Sequence, residues 1–202
     1  MIELVLLIAG AVLLMNTRTR QVLIAYVALA ATVSALIAPL AAKSPLALTL
    51  FILSTVLKVV VVPVGIMVFL RANPAADDLR PSLAMPARLA LVVIFALIVR
   101  VAAQTPSLHA VALEGLVAYV ILCGIGTLIV HRNLLAHVVG LLALGAGITL
   151  AGAVLAPALP ESIELGATFD ALVATFIGLG LVRAFAAHNP LLDVESLRRL
   201  RG

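Results

Sequence analysis

Apolar runs of membrane-crossing length alternate with short polar segments along the whole chain. The pattern predicts seven spans: Ile2 to Met15, Gln21 to Ala42, Leu46 to Leu70, Pro86 to Ala103, Ala110 to Val130, Leu134 to Ala156 and Ile163 to Ala187. Within the runs, apolar residues follow one another without the in-out alternation of barrel strands. Backbone amides in hydrocarbon must be satisfied within their own segment, so each run is expected to be a helix. The expected fold class is therefore all-α, a polytopic helical membrane protein. The first span is short, and it carries Glu3 before its apolar run and arginines after it. That is the reverse of a secretory signal peptide, so this span is expected to be retained.

Basic residues between the runs set an orientation. With the N-terminus outside, Arg18, Arg20, Arg71, Arg80, Arg88, Arg132, Arg183, Arg198, Arg199 and Arg201 fall on the cytoplasmic side, against Lys43 and Arg100 outside. This bias predicts a cytoplasmic C-terminus. The longest connection, Ala72 to Met85, is rich in Pro and Asp and divides an N-terminal three-helix part (1–85) from a four-helix part (86–202) ending in a short cytoplasmic tail (188–202). In that tail Val194, Leu197 and Leu200 recur at three-residue spacing beside three arginines. The arrangement suits a short amphipathic segment lying on the interface or on a partner.

Composition agrees and excludes other classes. Apolar residues make up 64% of 202 positions and charged residues 11%, with a mean hydropathy of +1.29. The net charge of +4 comes from basic residues flanking membrane segments, so nucleic acid is not an expected partner. One cysteine, Cys123, permits neither an internal disulfide nor a cysteine metal cluster. The sequence holds no phosphate-binding glycine loop and no His or Cys pair at metal spacing, so the chain is expected to be non-catalytic and to bind no cofactor or metal itself. With no tryptophan, Tyr26 and Tyr119 are the candidate interfacial aromatics.

The informative residues are the ionisable ones inside the runs. Lys58 lies near the middle of the uncharged stretch LALTLFILSTVLKVVVVPVGIMVFL, where a cation needs a partner or a water-filled cavity. Asp170, within ELGATFDALVATFIGLGL, is its expected companion, either as a packed ion pair that fixes helix orientation or as part of a proton path. Pro63 follows Lys58 by five residues and removes a backbone hydrogen bond there. Arg100, Glu114 and His109 sit at span ends, where snorkelling competes with a functional role. His137, one turn inside the sixth span, has a side chain suited to proton transfer but also to local hydrogen bonding. In the same span Ala143, Gly147 and Ala151 recur every four residues and predict a close helix contact.

The order and spacing of several segments resemble a known family. HRNLLAHVVG, beginning at His131 and including Arg132, Asn133 and Gly140, looks like the start of the central helix of the three-span K subunit of respiratory complex I and its antiporter relatives. The chain end DVESLRRLRG resembles that subunit's ending. With the element KVVVVP from Lys58 to Pro63 and the segment ELGATFD added, the chain over most of residues 45 to 202 resembles hydrogenase-4 component E, a membrane subunit of the group 4 nickel–iron hydrogenases of formate hydrogenlyase type. The last three helices (110–187) carry the K-subunit likeness.

The resemblance implies a subunit of a proton-translocating membrane arm in the bacterial cytoplasmic (inner) membrane. Its implied neighbours are antiporter-like and membrane-anchor subunits, peripheral redox subunits on the cytoplasmic side that hold the Fe–S clusters and the Ni–Fe site, and lipids. One departure is plain. Where the family's central helix carries a glutamate, Leu141 to Gly147 is wholly apolar, and Ala174 stands at the place of the second glutamate. Asp170, one turn earlier, shares a face with that position and can substitute for it. Two alternatives remain: a subunit of a Mrp-type cation/proton antiporter, and a stand-alone membrane scaffold or small transporter.

Overall fold

A computed structural model describes residues 2–42, 44–79, 81–102, 111–156 and 160–186. The described residues are helical, with two isolated backbone bridges and no strand. The helices are α1 (Ile2–Met15), α2 (Thr19–Ala41), α3 (Pro45–Val56), α4 (Val62–Ala72), α5 (Met85–Ala102), α6 (Val111–Val130), α7 (Leu134–Leu155) and α8 (Pro160–Ala186). Three stretches among them are long and apolar enough to cross a membrane: Thr19–Ala41, Pro45–Ala72 and Leu134–Leu155. His109 and the tail 188–202 lie outside the described residues.

The third apolar run is one helical stretch with a widened turn. Between α3 and α4, Leu57–Val61 is π-helical, and the Val62 amide donates to the Leu57 carbonyl five residues back. Pro63 explains the location. It has no amide to give, and its ring crowds the carbonyl four residues earlier, so a wider turn relieves the clash. Lys58 lies on this turn.

The central element is α7, which packs on α6, α8 and α2. Thirteen of its residues are buried. Its closest approach is to α6, through glycines. A Cβ on Gly124 would lie 2.7 Å from the Leu144 amide nitrogen, one on Gly140 3.2 Å from the Gly124 carbonyl, and one on Gly147 2.8 Å from the Ile121 side chain. The small-residue pattern of this span thus meets α6 at Gly147, while Ala143 joins the core shared with α2 and α4.

Tyr26 and Tyr119 are buried rather than interfacial, at 0% and 1% exposure. Tyr119 donates its hydroxyl to the Leu7 carbonyl at 2.7 Å, beside Gly10, whose missing side chain leaves the ring its space. Tyr26 belongs to the core built by α2, α4, α7 and α8.

The connection between the 1–85 and 86–202 parts is packed against both. Ala76 and Leu79 are buried, the Leu79 amide donates to the Thr17 carbonyl at 2.8 Å, and the Ser82 amide donates to the Val130 carbonyl at 2.6 Å. Thr19 donates to the Ala76 carbonyl at 2.9 Å, and Arg20 pairs with Asp77 at 3.5 Å. Arg88, 5% exposed, donates to the Met15 carbonyl at 2.8 Å and so neutralises the carbonyl end of the short α1.

Gly124→Val is expected to destabilise the purified protein in detergent by about 1 to 3 kcal/mol, as overpacking does. Gly166→Ala, whose added methyl meets no atom within 4 Å, is expected to leave the thermal midpoint unchanged or slightly raised. Equal midpoints for the two variants would contradict the close α6–α7 contact.

Candidate functional site

Lys58 is 8% exposed and enters a small polar cavity between α2, α3, α7 and α8. Its ammonium donates to the Thr149 hydroxyl at 3.3 Å, and Thr149 donates in turn to the Gly145 carbonyl at 2.8 Å. Glu164, 3% exposed, lines the same cavity with Ser34, Ser54 and Thr55. Its electrostatic pull on Lys58 exceeds that of Asp170. The Ser54 hydroxyl faces the Glu164 carboxylate, and Thr55 donates to Ser34 at 3.4 Å. The free volume is about 10 Å³, near the least that holds one water.

The expected Lys58–Asp170 companionship is modified: Asp170 stays within electrostatic reach of Lys58, but Glu164 is the nearer influence. Among the described residues the ion pair within 4.0 Å is Arg20–Asp77, and the acid sharing the lysine's cavity is Glu164. A lysine at mid-membrane costs roughly 2.5 to 3.5 kcal/mol on insertion scales. The Thr149 hydroxyl, the charge of Glu164 and, more weakly, that of Asp170 offset it here.

Asp170 lies on the other side of the same α7 turn. Its carboxylate sits against Gly145, in the space where any side chain at that position would be, and it is exposed. It lines a cavity of about 330 Å³ between α7 and α8 together with His137, Leu141, Ile148 and Leu181. The His137 Nδ1–H donates to the Asn133 carbonyl at 2.9 Å, which leaves Nε2 as the basic ring nitrogen. His137 and Gly145 are eight residues apart on α7, about 12 Å along the axis, so the imidazole and the Asp170 carboxylate mark two levels of one groove.

The remaining candidates do not join these two sites. Arg100 is exposed in the last turn of α5 and Glu114 half-buried in the first turn of α6, placements that complement the helix dipoles. Of the family-motif positions, Arg132 is exposed, Asn133 caps α7 by accepting from the Leu135 amide at 2.8 Å, Gly140 is a packing contact, and Pro63 bounds the π turn. Among the described residues no group of three or more His, Cys, Asp or Glu side chains is gathered to hold a metal.

Residues that the sequence did not single out as site candidates carry much of the geometry. Glu164 falls at the predicted edge of its span and reads as interfacial, yet α8 begins earlier, at Pro160, and turns it inward. Two acids in ELGATFD were the available signal. Thr149 gave none, and Tyr26 was expected at the interface. The Tyr26 hydroxyl is buried without a hydrogen-bond partner and lies within electrostatic reach of Asp170. His131, between α6 and α7, is 1% exposed and places both ring nitrogens on carbonyls, Nδ1 at 3.2 Å from Thr127 and Nε2 at 3.0 Å from Asn16. Two acceptors favour the charged ring. Burial opposes it more strongly, with Arg88 and His137 adding repulsion, so the imidazole titrates below its usual value.

Because burial holds His131 neutral, its contribution is complete above the ordinary imidazole value of about 6.5 and is lost as pH falls through the window below it. The thermal midpoint of the native chain is therefore expected to drop on acidification more steeply than that of His131→Gln; parallel pH curves would refute this. A double-mutant cycle of Lys58→Met with Glu164→Gln is expected to show coupling of about 1 to 3 kcal/mol in unfolding, against under about 0.5 for Lys58→Met with Asp170→Asn. The reverse order would restore Asp170 as the partner.

No family model matches the chain, and no curated protein or solved structure matches it either.

Proposed function

We propose that this chain is a non-catalytic integral membrane subunit of a complex I-like redox assembly of the group 4 nickel–iron hydrogenase type, and that Lys58 and Glu164 form a protonatable station on its proton path. In this reading seven helical stretches cross the bacterial cytoplasmic membrane, with the N-terminus outside and the C-terminus in the cytoplasm. The observation that carries the proposal is the buried Lys58, set on a π turn, hydrogen-bonded to Thr149 and sharing its cavity with Glu164. A core built only for packing has no use for an acid and an amine in one small cavity, and such ionisable groups within a membrane mark ion and proton pathways.

The departure from the family pattern gains a physical account. The apolar stretch Leu141 to Gly147 has no acid of its own, but α8 delivers the Asp170 carboxylate against Gly145, within that stretch. An acid at the level of the central helix is thus supplied from the neighbouring one, and the glycine makes the room. Lys58 and Asp170 flank a single α7 turn, Gly145 to Thr149, closed by the Thr149 hydroxyl.

The test is coupled turnover in membrane vesicles from cells carrying Lys58→Met or Glu164→Gln. Either variant is expected to leave the purified complex assembled and its redox turnover measurable while proton uptake per turnover falls about tenfold or more, as for loss of a positioned proton carrier. Unchanged uptake in both variants would overturn the station. Purification of the chain alone and monodisperse, with no nickel or Fe–S protein, would overturn the subunit assignment.

A further inference from the structure

Asp170 presents a carboxylate where lipid cannot receive it. It is the eleventh residue of α8, about 15 Å along a helix of 27 residues, and so well inside the hydrocarbon depth if α8 spans. The groove it shares with His137 opens outward. Its lips are apolar and exposed, with Leu141 at 48%, Ile148 at 58% and Leu181 at 56%. Exposed apolar side chains are ordinary on a lipid-facing helix. The acid among them is not. Lys58 and Tyr26 lie within its electrostatic reach, but among the described residues it forms no ion pair within 4.0 Å, and the Lys58 ammonium donates to Thr149.

We infer that the α7–α8 groove seats a transmembrane helix of another subunit, which presents a lysine or arginine at the depth of Asp170. Charge complementarity commits the occupant. A lipid tail offers nothing to a carboxylate in hydrocarbon. A second copy of this chain lacks the cation: Lys58 is buried, and Arg100 lies in the last turn of α5, away from that depth. A cavity of about 330 Å³ takes several side chains projecting from a helix laid along the groove, and His137 adds a second polar contact one groove-length away. This rests on the reading of the chain as a subunit of a larger membrane complex.

The experiment places a photoreactive benzoylphenylalanine at Leu141 in the groove, and separately at the exposed Val64 of α4 as a control, in the native membrane complex. Adducts are mapped by mass spectrometry. The expected result is a Leu141-specific adduct on a transmembrane segment of a different polypeptide with Lys or Arg in its middle third. Asp170→Asn is expected to lower its yield about tenfold or more, as loss of one partner of a desolvated charge pair does. Adducts on lipid alone, on a second copy of this chain, or on a segment without a basic residue would overturn the inference while the complex still purifies intact. A chain that purifies with no partner would overturn both this inference and the subunit reading.

Discussion

The backbones of α6 and α7 meet where Gly124, Gly140 and Gly147 put no side chain between them, and the positions of the other helices follow from that contact. Water-driven burial does not act between helices in a bilayer, so close packing and hydrogen bonding must hold them, and small residues permit both. With α6 seated on one side, α7 can turn its remaining faces to α2 and α8. This is why a helix whose only polar side chains are His137 and Thr149 organises the polar interior.

That interior is arranged around a single turn of α7. Thr149 receives Lys58 on one side, and the missing side chain of Gly145 receives Asp170 on the other. Glu164 and Asp170 of α8 are six residues apart and therefore on different faces, so Glu164 shares the small cavity of Lys58 while Asp170 lines the groove. On this helix Glu164 thus faces the interior and Asp170 the outside. The widened turn before Pro63 helps by setting Lys58 on a stretch of backbone whose register is already altered.

The basic end of the bundle has a separate logic. Ala76 in the loop, the end of α1 and the start of α7 are joined by side chains that reach carbonyls: Thr19 to Ala76, Arg88 to Met15, His131 to Asn16 and Asn133 to Ala76. Helix ends leave carbonyls without internal partners, and these contacts satisfy several of them. The arginines and the HRN segment at this end therefore stitch the two parts of the chain together, and the buried ring of His131 makes that stitching sensitive to acid.

By itself the sequence determined the fold class and the positions of the helical stretches, because a long apolar run in lipid has one local answer for its backbone and the runs are separated by recognisable breaks. It also identified Lys58 as costly, since the cost depends on depth along the run. It could not identify the lysine's partner. Asp170 seemed the natural choice on depth alone, but depth says nothing of azimuth, and the azimuth of α8 sends Asp170 to the groove and Glu164 to Lys58. Thr149, the packing role of Gly145 and the buried state of both tyrosines were likewise decided only when the helices were brought together. The physical reason is that hydrophobicity acts along the chain, whereas hydrogen bonds and charge compensation within a bundle depend on how each helix is rotated against its neighbours.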